Sequence, residues 1–97
     1  MKELKVTCNN ENGLHMRPAM LVVDAALKFE SDIVLVSRKG EASAKSIMET
    51  IMLTVEEGDE VTIRAEGSDE DSAVQVIYNI FDKQIGSRFK EVNVPKI

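Results

Sequence analysis

Apolar residues mark out seven segments along the chain, and their spacing sorts the segments into two kinds. Leu4, Val6 and Cys8 alternate with Lys5 and Thr7, which predicts a half-buried strand over 2–8. Asn9 to Gly13 is a cluster of turn formers. Ala19, Val22, Val23, Ala26 and Leu27 then recur at helical spacing, so a helix is expected from His15 to about Lys28. Pro18 suits its first turn, where N–H groups have no intrahelical acceptor. Proline also pushes the residue before it out of the α region, which predicts a distorted start at Arg17.

Ile33 to Val36 reads as a short strand, and Arg38-Lys39-Gly40-Glu41 turns the chain into a brief partner from Glu41 to Ala44. Helical spacing returns at Ile47, Met48, Ile51, Met52 and Val55, behind Ser46 with Glu49 three residues on, the pattern of a capping box. Gly58 and Asp59 break that helix. Val61, Ile63 and Ala65 next alternate with Thr62, Arg64 and Glu66 in a third long strand. Ser68 reads as a helix cap, with Asp69, Glu70 and Asp71 where the helix dipole favours acids, ahead of Ala73, Val76, Ile77, Ile80 and Phe81. Gly86 is expected to end this helix.

The order is strand, helix, strand, strand, helix, strand, helix. One apolar stripe per helix and one apolar face per strand are all buried if the helices pack on one side of a single sheet. The expected fold class is therefore α+β, an open-faced β-sandwich. The chain is read as one domain over 1–86 with a C-terminal extension over 87–97, where Pro95 forbids a regular ending. In that extension Phe89, Val92 and Val94 either pack back or reach toward a partner.

Composition narrows the function. Ninety-seven residues, 43% hydrophobic, suit one modest core, built from aliphatic side chains because the chain has three Phe, one Tyr and no Trp. A net charge of −5 opposes binding to a phosphate backbone, so no nucleic acid partner is expected. The start Met1-Lys2-Glu3-Leu4-Lys5 has no apolar leader, and the run from Ala19 to Val23 is far too short to span a bilayer. A cytoplasmic protein with no membrane insertion is the expectation. The lone Cys8 reads as a small buried hydrophobe.

His15 is the only histidine, and it sits in Asn12-Gly13-Leu14-His15-Met16-Arg17-Pro18-Ala19 at the start of the first helix. The positive end of a helix disfavours imidazolium, which keeps the ring neutral and nucleophilic near pH 7, and its N–H groups stabilise an attached dianion. Arg17 can present planar donors to phosphoryl oxygens. Asn12 either adds an amide to the same site or serves only its turn. Pro18 stiffens the helix start. One His and one Cys cannot make a metal site, so none is expected. Gly58 and Gly67 are isolated, no nucleotide loop is present, and no cofactor is expected. Any phosphoryl group must come from another protein.

Gly13-Leu14-His15-Met16-Arg17-Pro18-Ala19 and Lys45-Ser46-Ile47-Met48 stand at the separation found in the phosphocarrier HPr family of the bacterial phosphoenolpyruvate-dependent sugar phosphotransferase system, and the chain resembles that family over roughly 2–84. The resemblance implies a four-stranded antiparallel sheet with three helices on one face. It implies a stoichiometric carrier and not an enzyme, with His15 phosphorylated on Nδ1 by enzyme I and discharged to enzyme IIA domains. It also implies that Ser46 is a regulatory phosphorylation site for an HPr kinase/phosphorylase. Ser46 and Glu49 equally form a plain cap, and Glu49 would oppose a phosphate there.

Met16 and Met20 on the first helix and Met48 and Met52 on the second exceed what two short core-facing stripes require, so some should face solvent, with Ile47, Met48 and Ile51 joining Met16 and Met20. They are expected to form an adaptable docking patch, its rim made acidic by Asp24 and Glu49. A monomer is expected. The alternative function is a regulatory module, nitrogen-type or serine-kinase-controlled, whose phosphorylation state sets partner binding.

Overall fold

The computed structural model describes residues 1–8 and 16–81. Asn12, His15, Gly86 and the 87–97 extension lie outside the described residues, and with them the expected helix stop at Gly86 and the domain boundary at 86. Seven elements run in the expected order: β1 (Lys2–Thr7), α1 (Met16–Ala26), β2 (Asp32–Ser37), β3 (Gly40–Ser43), α2 (Ile47–Met52), β4 (Glu60–Glu66) and α3 (Glu70–Asn79).

The strands form one sheet in the order β1-β4-β2-β3, with every neighbouring pair antiparallel. The register aligns Val6 with Val61, and Ile63 with both Leu4 and Leu35, while Leu35 also faces Ala42. Alternation does the rest. Val61, Ile63, Ala65, Ile33, Leu35, Ala42 and Val6 are buried on the helix-covered face, and Val34, Val36, Thr62 and Arg64 are half-buried on the other.

Three expectations about the helices need correction. In α1, Pro18, Ala19, Val22, Val23 and Ala26 are buried, but Leu27 lies past the last helical residue and is 60% exposed. In α2 the helix stops at Met52, because Thr54 takes a positive φ of 51° and turns the chain before Val55, which is buried outside the helix. In α3 the buried residues are Ala73, Val74 and Ile77, with Phe81 beyond, so Val74 and not Val76 faces the sheet. Phe81 is among the largest fully buried side chains and draws its own stripe, Val74, Ile77 and Phe81, inward.

The cap of α3 also differs. Asp69, not Ser68, is the N-cap, and its side chain makes no cap bond. Its carboxylate instead accepts from the N–H groups of Glu30 and Ser31, both at 2.9 Å, and from the Ser31 hydroxyl. These bonds tie the α1–β2 connection to the start of α3. Gly67 is required beside them, since a Cβ there would lie 2.6 Å from Ser31 Oγ and 2.7 Å from its Cα.

Candidate functional site

The helix that follows His15 starts at Met16 and keeps Arg17 and Pro18 within its first turn. Pro18 is buried and contributes no N–H, so it seats the turn against the core without leaving a donor unsatisfied. α1 has no acid in its first turn, whereas α2 carries Glu49 there and α3 carries Glu70 and Asp71. The positive end of α1 is therefore not compensated by the helix's own carboxylates. Arg17 is exposed and makes no ion pair or hydrogen bond among the described residues.

The apolar set divides by depth. Met16, Met20 and Met48 are 57%, 49% and 68% exposed, while Ile47 and Ile51 are half-buried and packed against the core. Leu27 and Met52 are exposed as well, Met52 as one of the surplus methionines and Leu27 against the expectation that it lies on the buried stripe of the first helix. Met52 follows Met48 by four residues, which puts both on one face of α2. Asp24 and Glu49 are both exposed.

Ser46 caps α2. Its backbone is extended, and its Oγ accepts from the Glu49 N–H at 3.2 Å. The reciprocal half of a capping box is absent: Glu49 Oε1 accepts from the Ser43 N–H at 2.8 Å, while the Ser46 N–H donates to the Ser43 carbonyl at 3.1 Å. Lys45 donates to the Phe29 carbonyl at 2.7 Å, joining this turn to the end of α1. Among the described residues no group of His, Cys, Asp and Glu is placed to hold a metal ion, and no helix is long and apolar enough to cross a membrane.

Residues 2–83 match the family model described as the PTS HPr component phosphorylation site. The phosphocarrier protein HPr of Mycoplasma pneumoniae is 38% identical over 84 residues, covering 86% of this chain and 96% of that protein. An HPr structure from Thermoanaerobacter tengcongensis superposes with a TM-score of 0.84 at 37% identity, covering 92% of this chain and all of that one. HPr from Bacillus anthracis gives 0.77 at 34% identity, covering 82% and 95%. Sheet, helices and phosphorylation-site match together define a carrier of phosphoryl groups and not a catalytic enzyme. The chain belongs to the HPr family, the phosphocarriers of the phosphotransferase system. Partners in that system follow from the family.

Proposed function

We propose that His15 accepts a phosphoryl group from phosphorylated enzyme I and passes it to a histidine-bearing enzyme IIA domain, with Arg17 and the first turn of α1 neutralising the charge in transit. In loading, a bond forms between imidazole nitrogen and phosphorus as the donor's bond to phosphorus breaks, and discharge repeats the exchange toward the next protein. The carrying observation is the start of α1 one residue after His15, with no acid in its first turn and, in that turn, an exposed arginine that has no partner among the described residues. Asn12 adds an amide donor, and Pro18 fixes the turn. Met16, Met20 and Met48 form the docking surface, backed by Ile47 and Ile51.

Incubation with enzyme I and phosphoenolpyruvate is expected to give an acid-labile, base-stable phosphoryl adduct. His15→Ala should abolish it with the melting curve unchanged. Arg17→Ala should slow single-turnover transfer by an amount equivalent to about 1–3 kcal/mol, as for one charge-assisted contact. An acid-stable adduct, or one that survives His15→Ala, would remove the assignment.

A further inference from the structure

Only one residue of the short helix α2 (Ile47–Met52) is buried, Thr50. A helix of six residues is not stable by itself and takes its place from packing and from whatever holds its ends. Ile47 and Ile51 are half-buried, while Met48 and Met52, one turn apart, stand exposed on its outer face. The Ser46 cap secures the first end. The second end has no basic residue in its last turn and runs into Thr54, whose φ of 51° is the left-handed conformation that helices commonly assign to glycine at this point. For a β-branched side chain that conformation is costly and persists only where the surroundings enforce it.

Lys39, on the turn between β2 and β3, supplies the enforcement. Its ammonium donates to the Thr54 carbonyl at 2.7 Å and pairs with Glu56 and Asp59, each at 3.5 Å, so all three partners lie on the connection from α2 to β4. Asp59 is buried and held in turn by the Glu56 N–H at 2.9 Å and by Arg38 at 3.2 Å, which braces the lysine against an acceptor that is itself fixed. Lys39 also lines one surface hollow with Met52 and Leu53. The clamp therefore sits directly beside the end of α2 that carries an exposed methionine.

We propose that Lys39 is a positioning residue for partner docking: by holding Thr54 in its left-handed conformation it fixes the C-terminal end of α2, and so the orientation in which Met48 and Met52 are presented. The role rests on the methionine surface as the docking site. Lys39 does not itself have to touch the partner. The clamp acts on formation of the carrier–enzyme I complex and not on the transfer step within it.

The test measures enzyme I turnover with the full-length carrier varied as substrate, and follows the methyl groups of Met48 and Met52 by NMR in the free carrier. Lys39→Met is expected to raise KM about tenfold with kcat unchanged, as for one docking element out of place. Asp59 keeps Arg38 and the Glu56 N–H in that variant, so the fold should persist. Lys39→Arg, which keeps the charge and its donors, should hold KM near wild type. Adding Thr54→Gly to Lys39→Met should recover most of the loss and return the methyl signals, because glycine adopts a positive φ without strain. Lys5→Met controls for charge alone: Lys5 is exposed on β1, at the opposite edge of the sheet from β3, and its loss should leave KM unchanged. Unmoved methyl signals in Lys39→Met, an effect confined to kcat, an equal KM rise in Lys5→Met, or no recovery with Thr54→Gly would each overturn the proposal. Met48→Glu examines the underlying reading separately. An unchanged KM in that variant would defeat the methionine surface as docking site, while the methyl signals, which need no enzyme I, still decide whether Lys39 sets the end of α2.

Discussion

Ser46 has one hydroxyl and two claims upon it. In the structure the hydroxyl accepts the Glu49 N–H, so Ser46→Ala is expected to lower stability by about 0.5–2 kcal/mol in urea denaturation, and Ser46→Asp to retain the cap. Glu49 already sets a negative charge one turn on, so Ser46→Asp should slow loading by enzyme I only slightly. A Ser46→Ala carrier as stable as wild type would deny the cap any weight. The Ser-x-x-Glu spacing made this half of the motif readable in advance. Its other half was not, because Glu49 bonds to Ser43 after the Ser46 N–H has turned back to the Ser43 carbonyl, a choice made by the preceding turn. Asp69 teaches the same point at longer range. Its partners Glu30 and Ser31 are nearly forty positions away, and no local pattern announces such a bond.

Helices and strands were legible to different depths. A strand has only two faces, so alternation in β4 settled which residues are buried: Val61, Ile63 and Ala65 all are. A helix can roll about its axis, and spacing alone leaves two adjacent stripes open. In α3 the expected stripe Ala73-Val76-Ile77-Ile80-Phe81 shares Ala73, Ile77 and Phe81 with the observed one, and burial of Val74 with Val76 left 37% exposed sets the roll. Val74→Ala is therefore expected to lower unfolding free energy by about 2 kcal/mol, and Val76→Ala by less than about 0.5 kcal/mol. Similar losses for the two would mean that the helix is rolled toward Val76. The end of α2 was hidden for another reason: the positive φ at Thr54 is held by Lys39, a residue of another element.

Across the whole molecule, three acids tie distant segments together, and each is held below its ordinary range. For Asp69 the main cause is the Ser31 hydroxyl, followed by the Glu30 N–H. For Asp59 it is the Glu56 N–H, with further lowering from Arg38 and Lys39, and for Glu70 it is the Gly67 N–H, followed by the Met1 ammonium 3.1 Å away. A carboxylate whose value is lowered by folding stabilises the native state above its unfolded value, and that contribution is lost as pH falls through the lowered one. The melting temperature should accordingly hold between pH 7 and about 5 and decline below the ordinary carboxylate values of 3.8 for Asp and 4.5 for Glu. Asp69→Asn should melt lower at pH 7 and lose less on acidification. Parallel acid curves for mutant and wild type would show that Asp69 does not couple folding to protons.

The strand order sets a timetable for synthesis. β4 lies between β1 and β2 and is hydrogen-bonded to both, pairing Ala65 with Lys2 on one side and with Ile33 on the other. A chain emerging from the ribosome can close the β2–β3 hairpin early, but β1 has no neighbour until β4 arrives. The helix that follows His15 consequently has no complete sheet beneath it while the first half of the chain is exposed. A nascent carrier stalled before β4 would display its histidine motif without the scaffold that supports it, and competence to carry phosphate would begin only when that last strand slots into the middle of the sheet.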